Sequence, residues 1–293
     1  MALRIGLVIV EGREVLVAAD AEGRPVDLGA MAEKELGMRI LRDPVELAMD
    51  PDALASLDPL LDPEEGVAER YRIPQPDRWL PPFRRPSKVL ALAWNYRAHA
   101  EEGGREVPAE PVFFAKAPSC LIGHGECIVV PEGIGRVDPE VELAVVLGRR
   151  ARAVSAQEAY DCVAGYTVFN DVTARDLQRG DIKEGRPWFR AKSLDTFGPV
   201  GPWLVTADEV GDPHGLTLEL EVNGKIRQRA TTADMLFSVP ELVEYISQYI
   251  TLCPGDVIAT GTPAGIAPVR PGDEVVCRVE GIGTLINSVV SAG

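Results

Sequence analysis

VDPEVELAVV, residues 137–146, is the stretch whose reading decides the fold. Val141, Leu143 and Val145 recur at every second position, the period of a strand with a buried face. The same period puts Glu140 and Glu142 together on one face. Two ionised carboxylates on a buried face repel each other and lose hydration, at a cost of several kcal/mol. Either that face is solvated, as in many antiparallel sheets, or a cation lies between the acids. A third acid, Asp171, ends the apolar run of GYTVFNDVTARDLQ (165–178), where it could also cap the helix-like segment that follows. Together the three would offer hard oxygen donors suited to Mg2+ or Mn2+, and less strictly to Ca2+. No His-rich or Cys-rich pattern competes for zinc.

The rest of the chain narrows the function class. It has 293 residues, 46% hydrophobic and 26% charged, with a net charge of −15. This is the composition of a soluble globular protein with room for one large domain or two unequal ones. The acidic balance argues against nucleic-acid binding but not against holding a small anion through a few local cations. No apolar run approaches a membrane span. The opening RIGLVIVEGREVLVAAD is broken too soon for a signal peptide and predicts a hairpin. Five scattered cysteines with no CxxC pair predict reduced thiols and a cytoplasmic protein.

Residues 1–70 read as a small, weakly patterned N-terminal domain with helix-prone stretches. Residues 71–86 carry Pro74, Pro76, Pro81, Pro82 and Pro86, and predict an extended linker. From 87 to 293 short strand patterns dominate, including KVLALAW, CIVVP, AGYTVFND and DVIATG. LTLELEVNGKIRQRA holds Asn223-Gly224, a hairpin turn signal. Helices are predicted at SAQEAYDCVAG, with Ser155 as N-cap, and at SVPELVEYISQYI, with Ser238 as N-cap. Mostly strands with a few helices gives an α+β fold class.

Six ordered motifs add a resemblance: WNYRAHAEE (94–102), FFAKAPSCLIGHGECIVVP (113–131), VDPEVELAVVLG (137–148), GYTVFNDVTARDLQ (165–178), PWFRAKSLDTFGPVGPWL (187–204) and GDVIATGTPAGI (255–266). Residues 86–290 resemble the fumarylacetoacetate hydrolase family. The resemblance implies a mixed β-roll catalytic domain, a homodimer, and chemistry on small 2-oxo or 2,4-dioxo acids, as in aromatic compound catabolism. It assigns Glu140, Glu142 and Asp171 as metal ligands for Mg2+ or Mn2+.

The remaining candidates each have a plainer alternative. His99 and Glu102 are three apart, so on a helical turn the carboxylate could orient the imidazole; a surface pair would look the same. The resemblance makes them the pair that activates water. Lys192 in RAKSLD could be a solvated charge; the resemblance places it near the metal, stabilising an oxyanion. Arg175 and Gln178 could hold a substrate carboxylate, with Arg175 as a fork, or Arg175 could simply pair with Asp176. Thr262 in ATGTPAG suits a turn that donates N–H and hydroxyl bonds to an anion, or an ordinary turn. His124 and His214 read as loop residues. The family contains C–C hydrolases of acylpyruvates, which is the first expectation. It also contains oxaloacetate decarboxylases and 2-hydroxyhepta-2,4-diene-1,7-dioate isomerase/decarboxylases. A non-catalytic metal-binding protein is the alternative of another class. Ala93 stands where relatives usually have glycine, and Pro139 where they often have an aromatic, which bears on pocket shape.

Overall fold

The computed structural model describes residues 3–40 and 43–292. Among them the strands form a ten-stranded sheet, a five-stranded sheet and two short two-stranded ladders. The strand Val141–Leu147 is central to the larger sheet. It pairs antiparallel with Val163–Asn170 on one side and with Val257–Ala259 on the other. Val257–Ala259 then pairs parallel with Val89–Ala93, which pairs antiparallel with Val112–Lys116. The strand-rich α+β expectation holds.

The alternation in the quoted stretch explains why this strand is central. Val141, Leu143, Val145 and Leu147 enter one core, where they meet Leu218, Leu220, Val275, Cys277 and Leu285 of the smaller sheet. Ala144 and Val146 enter a second core on the opposite face, with Leu28, Met31, Leu57 and Leu61 from the N-terminal segment. A strand buried on both faces cannot tolerate unpaired charge, so the two glutamates at its start need partners.

The expected boundary at 71–86 is crossed by the larger sheet. Arg4–Val10 pairs with Arg13–Ala19, and also with Leu204–Thr206 from much later in the chain. Within the proline-rich stretch, Arg78–Leu80 pairs with Arg4–Val10. Its prolines lie outside this three-residue strand, so no ladder donor is lost. Other local expectations differ in detail. The Asn223-Gly224 hairpin forms between Thr217–Val222 and Lys225–Thr231. The segment after Ser155 is helical only over Ala156–Ala159, followed by a 3-10 turn at Tyr160–Cys162. Its Val163 and Ala164 instead begin a fully buried strand, because core burial outweighs helical continuity.

The Val239–Tyr249 helix starts in a capping box: Ser238 N–H donates to Glu241 at 2.7 Å. Ser238→Ala is expected to lower stability by about 1 kcal/mol. Urea unfolding would check it, and an unchanged midpoint would deny the cap its role. All five cysteines are free thiols. Among the described residues no helix is long and apolar enough to cross a membrane.

Candidate active site

The three predicted acids meet at the mouth of the central strand. Glu140 precedes it, Glu142 lies within it, and Asp171 follows the neighbouring strand. All are buried, with 3%, 1% and 1% exposure. One oxygen from each lies within 4.8 Å of the others. The main chain holds two of them together, since Asp171 N–H donates to the Glu140 carbonyl at 2.9 Å. Glu140 N–H in turn donates to the Asn170 side chain at 2.9 Å. A solvated face is therefore excluded. Asp171 is also not a helix cap, because the Arg175–Lys183 helix has Ala174 at its N-cap and no side-chain cap.

Buried cations answer these acids. Lys192 Nζ donates to Glu140 at 2.8 Å and to Asp171 at 2.5 Å. Lys116 donates to the other Asp171 oxygen at 2.6 Å and to the Lys192 carbonyl. Arg175 donates through Nε to Asp138 at 2.7 Å, through Nη1 to Gln178 at 2.7 Å, and through Nη2 to Glu140. It does not pair with Asp176, which faces Arg179 instead.

This arrangement separates the two glutamates electrostatically. Burial would raise the Glu140 pKa, but the Lys192 and Arg175 charges outweigh it and hold the carboxyl well below its usual range. Glu142 goes the other way: burial, then the Asp171 and Glu140 charges, push it well above the carboxylate range. It accepts the Gly261 N–H at 2.7 Å. Burial opposes the charge on Lys192, yet Asp171 and Glu140 hold its pKa above the ordinary lysine value. The set is rich in hard oxygen, and mutual repulsion strains Glu142 in a way a divalent cation would relieve. The residues therefore fit the metal that the resemblance implies.

Above the acids opens a cavity of about 290 Å³, near the lower end for small-molecule sites. His99, Glu102, Glu140, Arg175, Gln178, Lys192 and Thr262 all line it. The structure thus brings seven of the nine predicted residues to one cavity, with Glu142 and Asp171 in contact with that group. His99 and Glu102 lie on the Arg97–Glu102 helix, with Nδ1 3.4 Å from the carboxylate. Glu102 also accepts the Gly265 N–H at 3.1 Å. Thr262 differs from expectation. Its hydroxyl donates to the Val141 carbonyl at 2.9 Å and accepts from Gln228 at 2.9 Å. Its proton is therefore committed to the central strand rather than to a ligand.

Residues 88–290 match the fumarylacetoacetate (FAA) hydrolase C-terminal family. The chain belongs to this family. A 4-hydroxyphenylacetate degradation bifunctional isomerase/decarboxylase of Salmonella dublin is 46% identical over 71% of this chain and 48% of its own length. A mitochondrial oxaloacetate tautomerase of Bos taurus is 44% identical over 72% of this chain and 69% of its own. The solved fumarylpyruvate hydrolase of Pseudomonas aeruginosa, in complex with Mn2+ and pyruvate, is 33% identical with a TM-score of 0.68. That likeness covers 75% of this chain and 94% of the other. Fumarylacetoacetate hydrolase family members are enzymes that include hydrolases, isomerases and decarboxylases, so the catalytic expectation stands.

Four residues of the site escape sequence reasoning. Lys116 and Asp138 are buried members of the charge cluster. Gln228 reaches from the smaller sheet to bind Val141 N–H at 3.0 Å, and also Thr262 and Pro263. Asn95 clamps the cavity wall: its side chain bonds the Thr260 carbonyl at 2.7 Å and both polar main-chain groups of Phe237. The clamp needs glycine beside it, because Gly261 has φ of 100° and a Cβ there would lie 2.9 Å from Asn95 Cβ.

Proposed function

We propose that this chain is a divalent-cation-dependent hydrolase that cleaves the C–C bond of acylpyruvates or related 2,4-dioxo acids, using Mg2+ or Mn2+ and working as a homodimer. The observation that carries this reading is the His99–Glu102 pair on the same cavity as Glu140 and Lys192. Glu140, Glu142 and Asp171 would hold the cation, which supplies Lewis-acid polarisation of the substrate's oxygens.

The chain's own groups do the rest. Arg175 has one N–H left on each terminal nitrogen after binding Gln178 and Glu140, and these would receive the substrate carboxylate. Gln178, whose carbonyl faces Arg175, keeps its NH2 for the same carboxylate. With Nδ1–H directed at Glu102, His99 offers Nε2 as the base that takes a proton from water. Hydroxide adds to the distal carbonyl carbon, and the Lys192 ammonium stabilises the oxyanion. The C–C bond breaks toward the pyruvyl carbon, giving a carboxylic acid and pyruvate enolate. The proton held by His99 returns to the enolate carbon, so water is consumed and pyruvate released.

A second reading, decarboxylation or isomerisation, is favoured by the relatives at 44–46% identity. It needs no water activation. Acetylpyruvate, fumarylpyruvate and oxaloacetate offered with Mg2+ or Mn2+ separate hydrolysis from decarboxylation when pyruvate is measured, and isomerisation would change the ultraviolet absorbance of the substrate without releasing pyruvate. His99→Ala is expected to lower acylpyruvate hydrolysis by about 10²–10⁴-fold, the range of general-base catalysis, while sparing part of any decarboxylation. Equal loss of both would remove water activation as its role. A light-scattering mass of one chain would remove the homodimer.

A further inference from the structure

The outer half of the cavity carries a second cationic group that the reaction above does not use. Trp94 has φ of 57°, a left-handed backbone that a bulky residue rarely adopts, next to the Asn95 clamp. Strain of this kind is concentrated at functional sites. Held there, the Trp94 ring meets Trp188 edge to face at 5.1 Å, and Trp188 meets Phe114 at 5.7 Å. These three rings form an apolar wall of the cavity. On this wall Arg105 stacks its guanidinium, 5.5 Å from the Trp94 ring centre.

Arg105 differs from the other cavity cations in having no acid of its own. Lys192 and Arg175 are tied to buried carboxylates, and Arg179 stands 3.7 Å from Asp176. Among the described residues Arg105 makes no ion pair, and Glu102, also on the cavity, is engaged by His99 and Gly265. The chain carries a net charge of −15, so a dianion approaching it is repelled at long range. An unpaired, stacked guanidinium at the mouth offsets that repulsion locally, and its planar fork matches a carboxylate.

We propose that Arg105, stacked on Trp94, forms an outer anion subsite that selects 2-oxo acids bearing a second carboxylate at the far end. The proposal rests on reading this cavity as a 2-oxo acid site. It makes elongated diacids such as fumarylpyruvate, rather than acetylpyruvate, the substrate class. The aromatic wall between the inner and outer cations suits the unsaturated or apolar spacer of such a diacid.

The test uses two unreactive probes of equal length, 2-oxoadipate and 2-oxohexanoate, which differ only in the terminal carboxylate. Calorimetric titration of the Mg2+-loaded protein is expected to show at least tenfold tighter binding of 2-oxoadipate. Arg105→Met, which keeps an apolar side chain over Trp94 but removes the charge, is expected to bring that ratio close to one. Arg105→Lys, which restores charge without the flat fork, is expected to recover part of it. No preference in the wild type, or a preference that survives Arg105→Met, overturns the subsite. Because neither probe carries a 4-oxo group to hydrolyse, this outcome is independent of whether the substrate panel supports hydrolysis.

Discussion

Glu142→Gln is expected to lower Mn2+ affinity by more than about 100-fold, beyond the 10–100-fold typical of losing an outer-shell partner. The substitution keeps the size of the side chain and the acceptor for Gly261 N–H, so the central strand retains its packing. What it removes is the carboxylate that burial and its acidic neighbours strain most. The sign of the pH dependence follows. Cation binding requires Glu142 as a carboxylate, and its raised pKa means that a proton must leave as the cation enters. Affinity in the wild type therefore rises with pH above the ordinary carboxylate range. Calorimetry in two buffers of different ionisation enthalpy would show the released proton. The Glu142→Gln protein would show a weaker pH dependence. Unchanged Mn2+ affinity in this variant would remove Glu142 from the ligand set.

Lys116→Met is expected to destabilise the protein by about 3–5 kcal/mol, the cost of breaking a buried ion pair from one side. Lys116 is fully buried and holds both Asp171 and the Lys192 carbonyl. Without it, an Asp171 oxygen and a main-chain carbonyl lose their donor inside the protein. Adding Asp171→Asn should return part of the loss, because the acid that then has only Lys192 to face it loses its charge. Urea unfolding of the single and double variants measures both quantities. A loss below about 1 kcal/mol for the single variant would show that the pair is dispensable to the fold.

Legibility of the site depended on sequence distance. His99 and Glu102 are local neighbours, and three-residue spacing suffices to put them on one helical face. Glu140 and Glu142 were visible because strand alternation is a local rule. Asp138 shares their parity within the same quoted stretch, yet it belongs to a different ladder, Val137–Asp138 with Thr173–Ala174. Pro139 interrupts the strand between them, and the pattern alone does not say where an acid on the far side points. Lys116 and Gln228 reach the site from a sheet edge and from the smaller sheet, so only the topology reveals them. Gln228 is the buried residue in an otherwise largely exposed strand, where local pattern gives no warning. The same limit explains the N-terminal segment. Composition marks 71–86 as proline-rich, but the pairing of Arg4 and Ile5 with Val205 and Leu204 leaves no local trace.

That last pairing also sets an order of assembly. Ile5 leaves the ribosome roughly two hundred residues before Leu204, the strand partner it faces. At about 5–20 residues per second, the wait is on the order of 10–40 s. The hairpin of Arg4–Val10 with Arg13–Ala19 can form early, and Arg78–Leu80 can cover Leu7–Ile9 of its open edge soon after. Arg4 and Ile5 keep an unpaired edge until the late strand arrives. The nascent chain is most open to mispairing with a neighbouring copy during that interval.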